Sequence, residues 1–216
     1  MNASLQIHRV ISMPFSENTY LVHRSDAADC LVIDPGFEPD SILRKIAEKN
    51  LIPRVILNTH GHSDHIAGNE ALKAQFPDCP LVIGAAEAAK LTDPMLNLSA
   101  PFGLELISPP ADRTVVEGEV LEYAGISLEV RDTPGHSSGH VVFVTRDVTP
   151  WLVFGGDVLF RGSIGRTDFP DGDTDQLLRS IREKLLTLPD TTRVLPGHGD
   201  ATTIAEERRH NPFLQG

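Results

Sequence analysis

Apolar and polar positions change period several times along the chain, and each change marks an element. Residues 4–11, 19–23 and 30–34 are short β-branched or apolar stretches separated by Pro, Asn and Asp, the pattern of successive strands with tight connections, and the third closes in the turn Asp34-Pro35-Gly36. Over 40–50 the period lengthens. Ile42, Leu43, Ile46 and Ala47 recur at helical spacing with Arg44, Lys45, Glu48 and Lys49 between them, which predicts an amphipathic helix. Pro53 restarts the chain as a strand over 54–57, which runs into Asn58-Thr59-His60-Gly61-His62-Ser63-Asp64-His65 before a helix at 66–75. The histidine-rich segment thus falls at a strand-to-helix junction.

Residues 81–84 predict a strand and 85–91 a short helix, while 92–110, rich in Pro, Ser and Asn without periodicity, predict a loop or lid. A β-meander is expected over 114–130, with turns at Glu117-Gly118 and Ala124-Gly125, leading to Thr133-Pro134-Gly135-His136. Buried strands are expected at 141–145 and 151–154, the second ending in Gly155-Gly156-Asp157. After a polar, Gly-rich loop through Asp173, Leu177, Leu178, Ile181, Leu185 and Leu186 mark an amphipathic helix. Residues 193–195 then predict a strand entering Pro196-Gly197-His198-Gly199, and 202–210 a last helix. Strands and a helix, twice over, with each unusual His or Asp at a strand's carboxyl end, fit two sheets packed face to face with helices outside, an α/β class that gathers those ends along one edge. The halves on either side of about residue 105 are loosely similar in content.

Length and composition add limits. The chain has 216 residues, 40% hydrophobic and 23% charged, enough for one compact domain spanning 1–216. A formal charge of −11 repels a phosphate backbone, so nucleic acid is not the expected partner. Cys30 and Cys79 lie far apart without a Cys-x-x-Cys spacing and are expected to be packed thiols of a reducing, cytoplasmic protein. Residues 1–8 lack a basic stretch leading into a long apolar one, and no later run approaches the ~20 apolar residues of a membrane span, so neither export nor membrane partnership is expected.

Of nine histidines, His60, His62, His65, His136 and His198 sit in three short segments that also carry Asp or Gly. An extended loop projects His60 and His62 to one side, while Asp64 and His65 open a helix and point elsewhere, so one segment can feed two neighbouring sites. Imidazole and carboxylate suit zinc, iron or manganese, and such an ion would recruit its remaining ligands from His136, Asp157 and His198 at the other strand ends. Singly, a His-x-His or a Pro-Gly-His is only a solvated loop or a turn. Five imidazoles and two carboxylates at strand termini have no core-packing rationale. His8, His23, His140 and His210 lack such neighbours and are expected at the surface or in packing. Neither cysteine lies in a catalytic motif and no serine in a Gly-x-Ser-x-Gly elbow, so the chain offers no covalent nucleophile. Asp34 is expected to accept an imidazole N–H and fix its tautomer, or else to cap its turn. Arg166, in Gly165-Arg166-Thr167-Asp168, is expected to touch substrate or to pin its loop through Asp168.

Thr59-His60-Gly61-His62-Ser63-Asp64-His65, Thr133-Pro134-Gly135-His136, Gly156-Asp157 and Gly197-His198 together resemble the metallo-β-lactamase-fold superfamily, and the segment from Asp157 to Phe169 is most similar to the shorter bacterial members of its glyoxalase II group. The resemblance implies a four-layer αβ/βα sandwich of two mixed sheets. It implies two divalent metal ions per chain, zinc first, with iron or manganese as alternatives. His60, His62 and His136 would hold one ion, Asp64, His65 and His198 the other, and Asp157 would bridge them. Two ions roughly 3.5 to 4 Å apart can share a hydroxide and polarise the carbonyl it attacks. The implied activity is hydrolysis of a small-molecule thioester such as S-lactoylglutathione or a related acyl thioester, with Asp64 also orienting the hydroxide. Glutathione as carrier is not secured, because full-length glyoxalase II enzymes hold it with a longer basic carboxyl-terminal region, and after His198 this chain carries only Arg208 and Arg209 on a short helix. Persulfide dioxygenases, similar in the loop at 165–169, imply instead one iron on His60, His136 and Asp157. A lactonase or β-lactamase is a further reading, against which Asp157 stands where zinc β-lactamases usually carry cysteine.

Overall fold

The computed structural model describes residues 4–215. Met1 to Ala3, on which the expectation of no export signal partly rests, and Gly216 lie outside the described residues. The first half supplies one six-stranded sheet in chain order: β1 (Leu5–Ser12), β2 (Glu17–Arg24), β3 (Asp29–Ile33), β4 (Ile52–Asn58), β5 (Leu81–Gly84) and β6 (Arg113–Val115). The second half supplies β7 (Val120–Tyr123), β8 (Ile126–Asp132), β9 (Val141–Thr145), β10 (Leu152–Gly156), the small hairpin β11 (Leu159–Phe160) and β12 (Ser163–Ile164), then β13 (Arg193–Pro196) and β14 (Thr202–Thr203). Its six-stranded sheet runs β14-β13-β10-β9-β8-β7. Both sheets are mixed, with β3 to β6 parallel in the first and β10 parallel to β13 in the second.

Apolar runs too continuous to show which face is inside are resolved by the period of two along a strand. Tyr20, Val22, Leu31, Ile33, Val55, Leu57 and Val82 face Leu121, Leu128, Val130, Phe143, Phe154 and Leu195 across the space between the sheets. The alternate residues of the first sheet, Leu21, Val32, Ile56, Leu81 and Ile83, pack outward on Ile42, Ile46 and Leu72 of helices α1 (Pro39–Glu48) and α3 (Asn69–Gln75). Val142, Val144, Val153 and Val194 of the second sheet pack outward on Leu177, Ile181, Leu185 and Ile204, from α4 (Thr174–Ser180), the wider helical turn Ile181–Leu185 that continues it, and α5 (Ile204–His210). Helix, sheet, sheet and helix form the four layers of an αβ/βα sandwich.

Three local expectations change. The helix at 66–75 is two pieces, α2 (Ser63–Ile66) and α3, because Gly68 donates its N–H to the Pro35 carbonyl at 2.8 Å and a Cβ there would strike Pro35 and Gly36. The meander over 114–130 begins later: Arg113–Val115 pairs in parallel with β5, so the turn at Glu117-Gly118 carries the chain from one sheet to the other. The last helix starts two residues late, since Thr202 and Thr203 extend the second sheet and Thr203 caps α5 by accepting from the Glu206 N–H. The turn at Ala124-Gly125 is a two-residue hairpin loop with both residues at positive φ, 53° and 68°. Among the described residues, no helix is long and apolar enough to cross a membrane.

Candidate metal centre

Asp34, His60, His136, Asp157 and His198 each follow the carboxyl end of a strand, β3, β4, β8, β10 and β13 in turn, so the layered packing brings them to one edge of the sandwich. There they form three overlapping groups of donor atoms: His60, His62 and His136; His60, His65 and Asp157; Asp64, His65 and His198. His62 Nδ1 lies 3.1 Å from His60 Nε2 and 2.9 Å from His136 Nε2. Tetrahedral ligation at the usual zinc–imidazole distance separates nitrogens by about 3.3 Å. On the other side, Asp64 Oδ2 is 3.2 Å from His198 Nε2 and 3.8 Å from His65 Nε2. Asp157 faces both sides, 3.6 Å from His136 Nε2 and 3.5 Å from the Nε2 atoms of His65 and His198.

Contacts behind the rings decide which nitrogen points inward. Thr59 Oγ1 spends its one proton on Asp34 Oδ2 at 2.7 Å, so it accepts from His60 Nδ1 at 3.1 Å and leaves His60 Nε2 a bare lone pair. His136 Nδ1 donates to the Arg166 carbonyl at 2.7 Å, His198 Nδ1 to the Phe15 carbonyl at 3.1 Å and His65 Nδ1 to Asp34 Oδ2 at 3.1 Å. Four imidazoles therefore present Nε2 to the centre, each oriented by an oxygen of the chain. Asp34 thus meets an imidazole and also caps, since Thr59 N donates to its Oδ1 at 2.7 Å.

The donor set fits a cation on grounds beyond residue type. His65 Nε2 and Asp157 Oδ1, both turned to the centre, are buried polar atoms without a hydrogen-bond partner, which a folded chain rarely leaves unexplained. Burial, and then the neighbouring imidazoles, hold His60 well below its ordinary pKa and bring His62 to about 3, so both are neutral donors. Burial works against the charged form of His65 too, but the Asp157 and Asp64 carboxylates outweigh it and raise His65 well above its usual value. That side draws positive charge inward, whether proton or metal. Gly197 admits the assembly, because a Cβ there would collide with Asp157 Oδ1 and His65 Cε1.

Sequence reasoning missed the groups that hold the histidine loops together. Glu87, fully buried in the short helix Ala85–Thr92, accepts from the Gly61 N–H at 2.8 Å through Oε2, and from Ser137 Oγ at 2.5 Å and the Gly139 N–H at 2.8 Å through Oε1. It clamps the His60–His62 loop to the His136 loop, and Lys90 Nζ neutralises it at 3.1 Å while donating to Asp171 at 2.6 Å. Both lie on a helical face that reads as ordinary amphipathic surface, so no local signal marks them. His140, expected at the surface or in packing, is packed: it is buried beside the centre and accepts the Asp157 N–H at Nε2, 3.0 Å away. Its neighbour spacing, Ser138-Gly139-His140 close behind His136, was the available signal. His8 and His23 stack with ring centroids 5.3 Å apart and His210 pairs with Glu206 at 3.2 Å, away from the centre. Arg166 makes a bidentate pair with Asp168, both bonds 2.7 Å, and its guanidinium lies 4.3 Å over the Phe169 ring, which contacts His62 and His136 edge-on. The 92–110 segment does reach the centre, where the Asn97 carbonyl accepts the Ser63 N–H at 2.9 Å and Leu98 and Phe102 border the cleft.

A model of the metallo-beta-lactamase superfamily matches residues 13–198, and the chain belongs to that superfamily. Over 203 residues it is 40% identical to a protein of Haemophilus influenzae named hydroxyacylglutathione hydrolase GloC, covering 93% of each chain. The crystal structure of BLEG-1 B3 metallo-beta-lactamase superposes with a TM-score of 0.93 at 36% identity, covering 98% of this chain and 100% of that one. TTHA1623 in a di-iron-bound form superposes with a TM-score of 0.81 at 38% identity, covering 96% and 100%.

Proposed function

We propose that this protein is a binuclear metal-dependent hydrolase of acyl thioesters, with S-lactoylglutathione or a related thioester as substrate. The observation that carries this reading is the position of Asp157, whose carboxylate stands within 3.6 Å of imidazole nitrogens from both outer donor groups. His60, His62 and His136 would hold one ion, Asp64, His65 and His198 the other, and Asp157 both. Divalent ions held by these residues would supply a Lewis acid for the carbonyl oxygen and would lower the pKa of water in the cleft to about 7. The chain's own part is positional. Oxygens of Thr59, Asp34, Arg166 and Phe15 fix the imidazole tautomers, Asp64 Oδ2 accepts and aligns a water proton, and Phe169 closes one side of the centre. Water adds to the thioester carbonyl, the C–S bond breaks, and a carboxylic acid and a thiol leave. The GloC relative supports the substrate class, zinc is the ion the donor set suits first, and the TTHA1623 relative supports iron as the alternative. Cys30 and Cys79, free and buried, support a cytoplasmic location.

The likeness to BLEG-1 favours a second reading, β-lactam opening by the same attack on a carbonyl. One comparison separates these from an iron persulfide dioxygenase: metal per chain on untagged protein, then thioester hydrolysis, nitrocefin turnover and oxygen uptake with glutathione persulfide. About two ions and thioester hydrolysis that persists without oxygen are expected, because hydrolysis needs no oxidant. One ion after reconstitution, with oxygen consumption, replaces this reading with the dioxygenase, and nitrocefin turnover without thioester hydrolysis replaces it with the lactamase.

A further inference from the structure

Above the donor cluster lies a cleft of ≈ 350 Å³ whose walls are largely carbon: Phe15, Leu98, Phe102, Phe160, Ile164 and Phe169. Phe15 and Phe102 meet edge-on with centroids 5.8 Å apart, from loops far apart in the chain, and they remain 37% and 58% exposed. Aromatic rings held at the lip of a cleft while still in water keep apolar area that a ligand can cover, at roughly 25 cal/mol per Å². The polar side of the cleft tells the same story. Arg166 is the cleft's lining Lys or Arg among the described residues, and both of its donor edges toward Asp168 are taken while its face rests on Phe169. Beyond the donor cluster, a substrate carboxylate finds no unpaired Lys or Arg on these walls, while an uncharged ring finds the rings of Phe15, Phe102 and Phe160.

We propose that, among the thioesters named above, the cleft selects those bearing an uncharged aromatic or branched apolar group beside the scissile bond over S-lactoylglutathione, whose carrier brings two carboxylates. This rests on the hydrolase reading for the reaction alone; the subsite rests on the wall. Phe15 and Phe102 form its lip, and Phe160 and Ile164, on the β11–β12 hairpin, its opposite side.

The test reads binding rather than turnover, using two thioethers that contain no hydrolysable thioester: S-benzyl-N-acetylcysteamine, which is neutral, and S-benzylglutathione, which carries the carboxylates. With the metal-loaded protein, calorimetry is expected to show the neutral compound binding about tenfold tighter, and Phe15→Ala and Phe102→Ala are each expected to weaken it about tenfold with bound metal unchanged. Equal or tighter binding of the glutathione compound, binding of neither, or unchanged affinity in both phenylalanine variants overturns the proposal. A protein that hydrolyses no thioester yet shows the expected binding refutes the hydrolase reading and leaves the subsite standing.

Discussion

The two outer donor groups both rely on imidazoles but stand in opposite electrostatic settings. His60, His62 and His136 are 0%, 4% and 2% exposed and include no carboxylate, whereas Asp64 and His198 have side chains 18% and 26% exposed and the group carries its own carboxylate. The first group is locked from behind by Glu87, which bonds the backbone of both its loops. The second hangs on the Phe15 carbonyl of an exposed loop and on Asp34. A closed set of neutral donors is rigid but depends on an anion from elsewhere to offset a bound cation. An open set with its own anion is looser and accessible. Asp157 reconciles them, because it is the carboxylate that stands beside both.

Removing that shared carboxylate should have the largest effect. Asp157→Ala is expected to lower bound metal from about two ions to one or fewer and to cut kcat/KM by more than the roughly 100-fold typical of losing an outer hydrogen-bond partner, since the cations' repulsion is no longer offset. Asp157→Asn keeps the shape without the charge and should retain more metal than the alanine variant while losing most turnover. Two ions and near-native kinetics in Asp157→Ala would end the bridging assignment.

Glu87 tests the closed side. Glu87→Ala leaves Lys90 to Asp171 alone among carboxylates and removes the acceptor of the Gly61 and Gly139 N–H groups, and denaturant titration should show a loss of about 1–3 kcal/mol. Glu87→Gln keeps the shape, and chelator competition should then show one ion weakened roughly 10- to 100-fold and the other unchanged. Equal weakening of both would dissolve the contrast between the groups. The native protein can show it directly: limiting chelator should strip the metals in two phases, and His198→Ala should abolish the faster one. The smallest effect belongs to Arg166→Ala. Its pair with Asp168 is 58% and 66% exposed, so melting should report little or no change, with metal content intact. A large rise in KM for glutathione thioesters would instead make Arg166 the cation that the aromatic cleft otherwise lacks.

Strand and helix order was largely legible because buried strands and amphipathic helices leave periods of their own, and the seven residues that gather at one edge stood out because His and Asp at strand ends have few other uses. Where reading failed, the missing information lay between segments. The period of Arg113–Val115 cannot say which sheet a strand will join, and only pairing with β5 moved it into the first. Gly68 broke a helix whose sequence is continuous, because Pro35 and Gly36 crowd it from a distant turn. Glu87 and Lys90 carry no signal within the short helix at 85–91, because the groups that give them a role arrive with the His136 loop, far along the chain.

By itself the sequence determined the donor types, their attachment to strand ends and the apolar alternation that stacks the layers, since each of these is set by neighbours within a few residues. Only the tertiary structure decided that Asp157 faces both groups, that Glu87 fastens two histidine loops, and that Phe15 and Phe102 meet at one lip. Those contacts join segments separated by tens of residues, and which side chains meet there depends on how two sheets twist and pack, a property carried by no single segment.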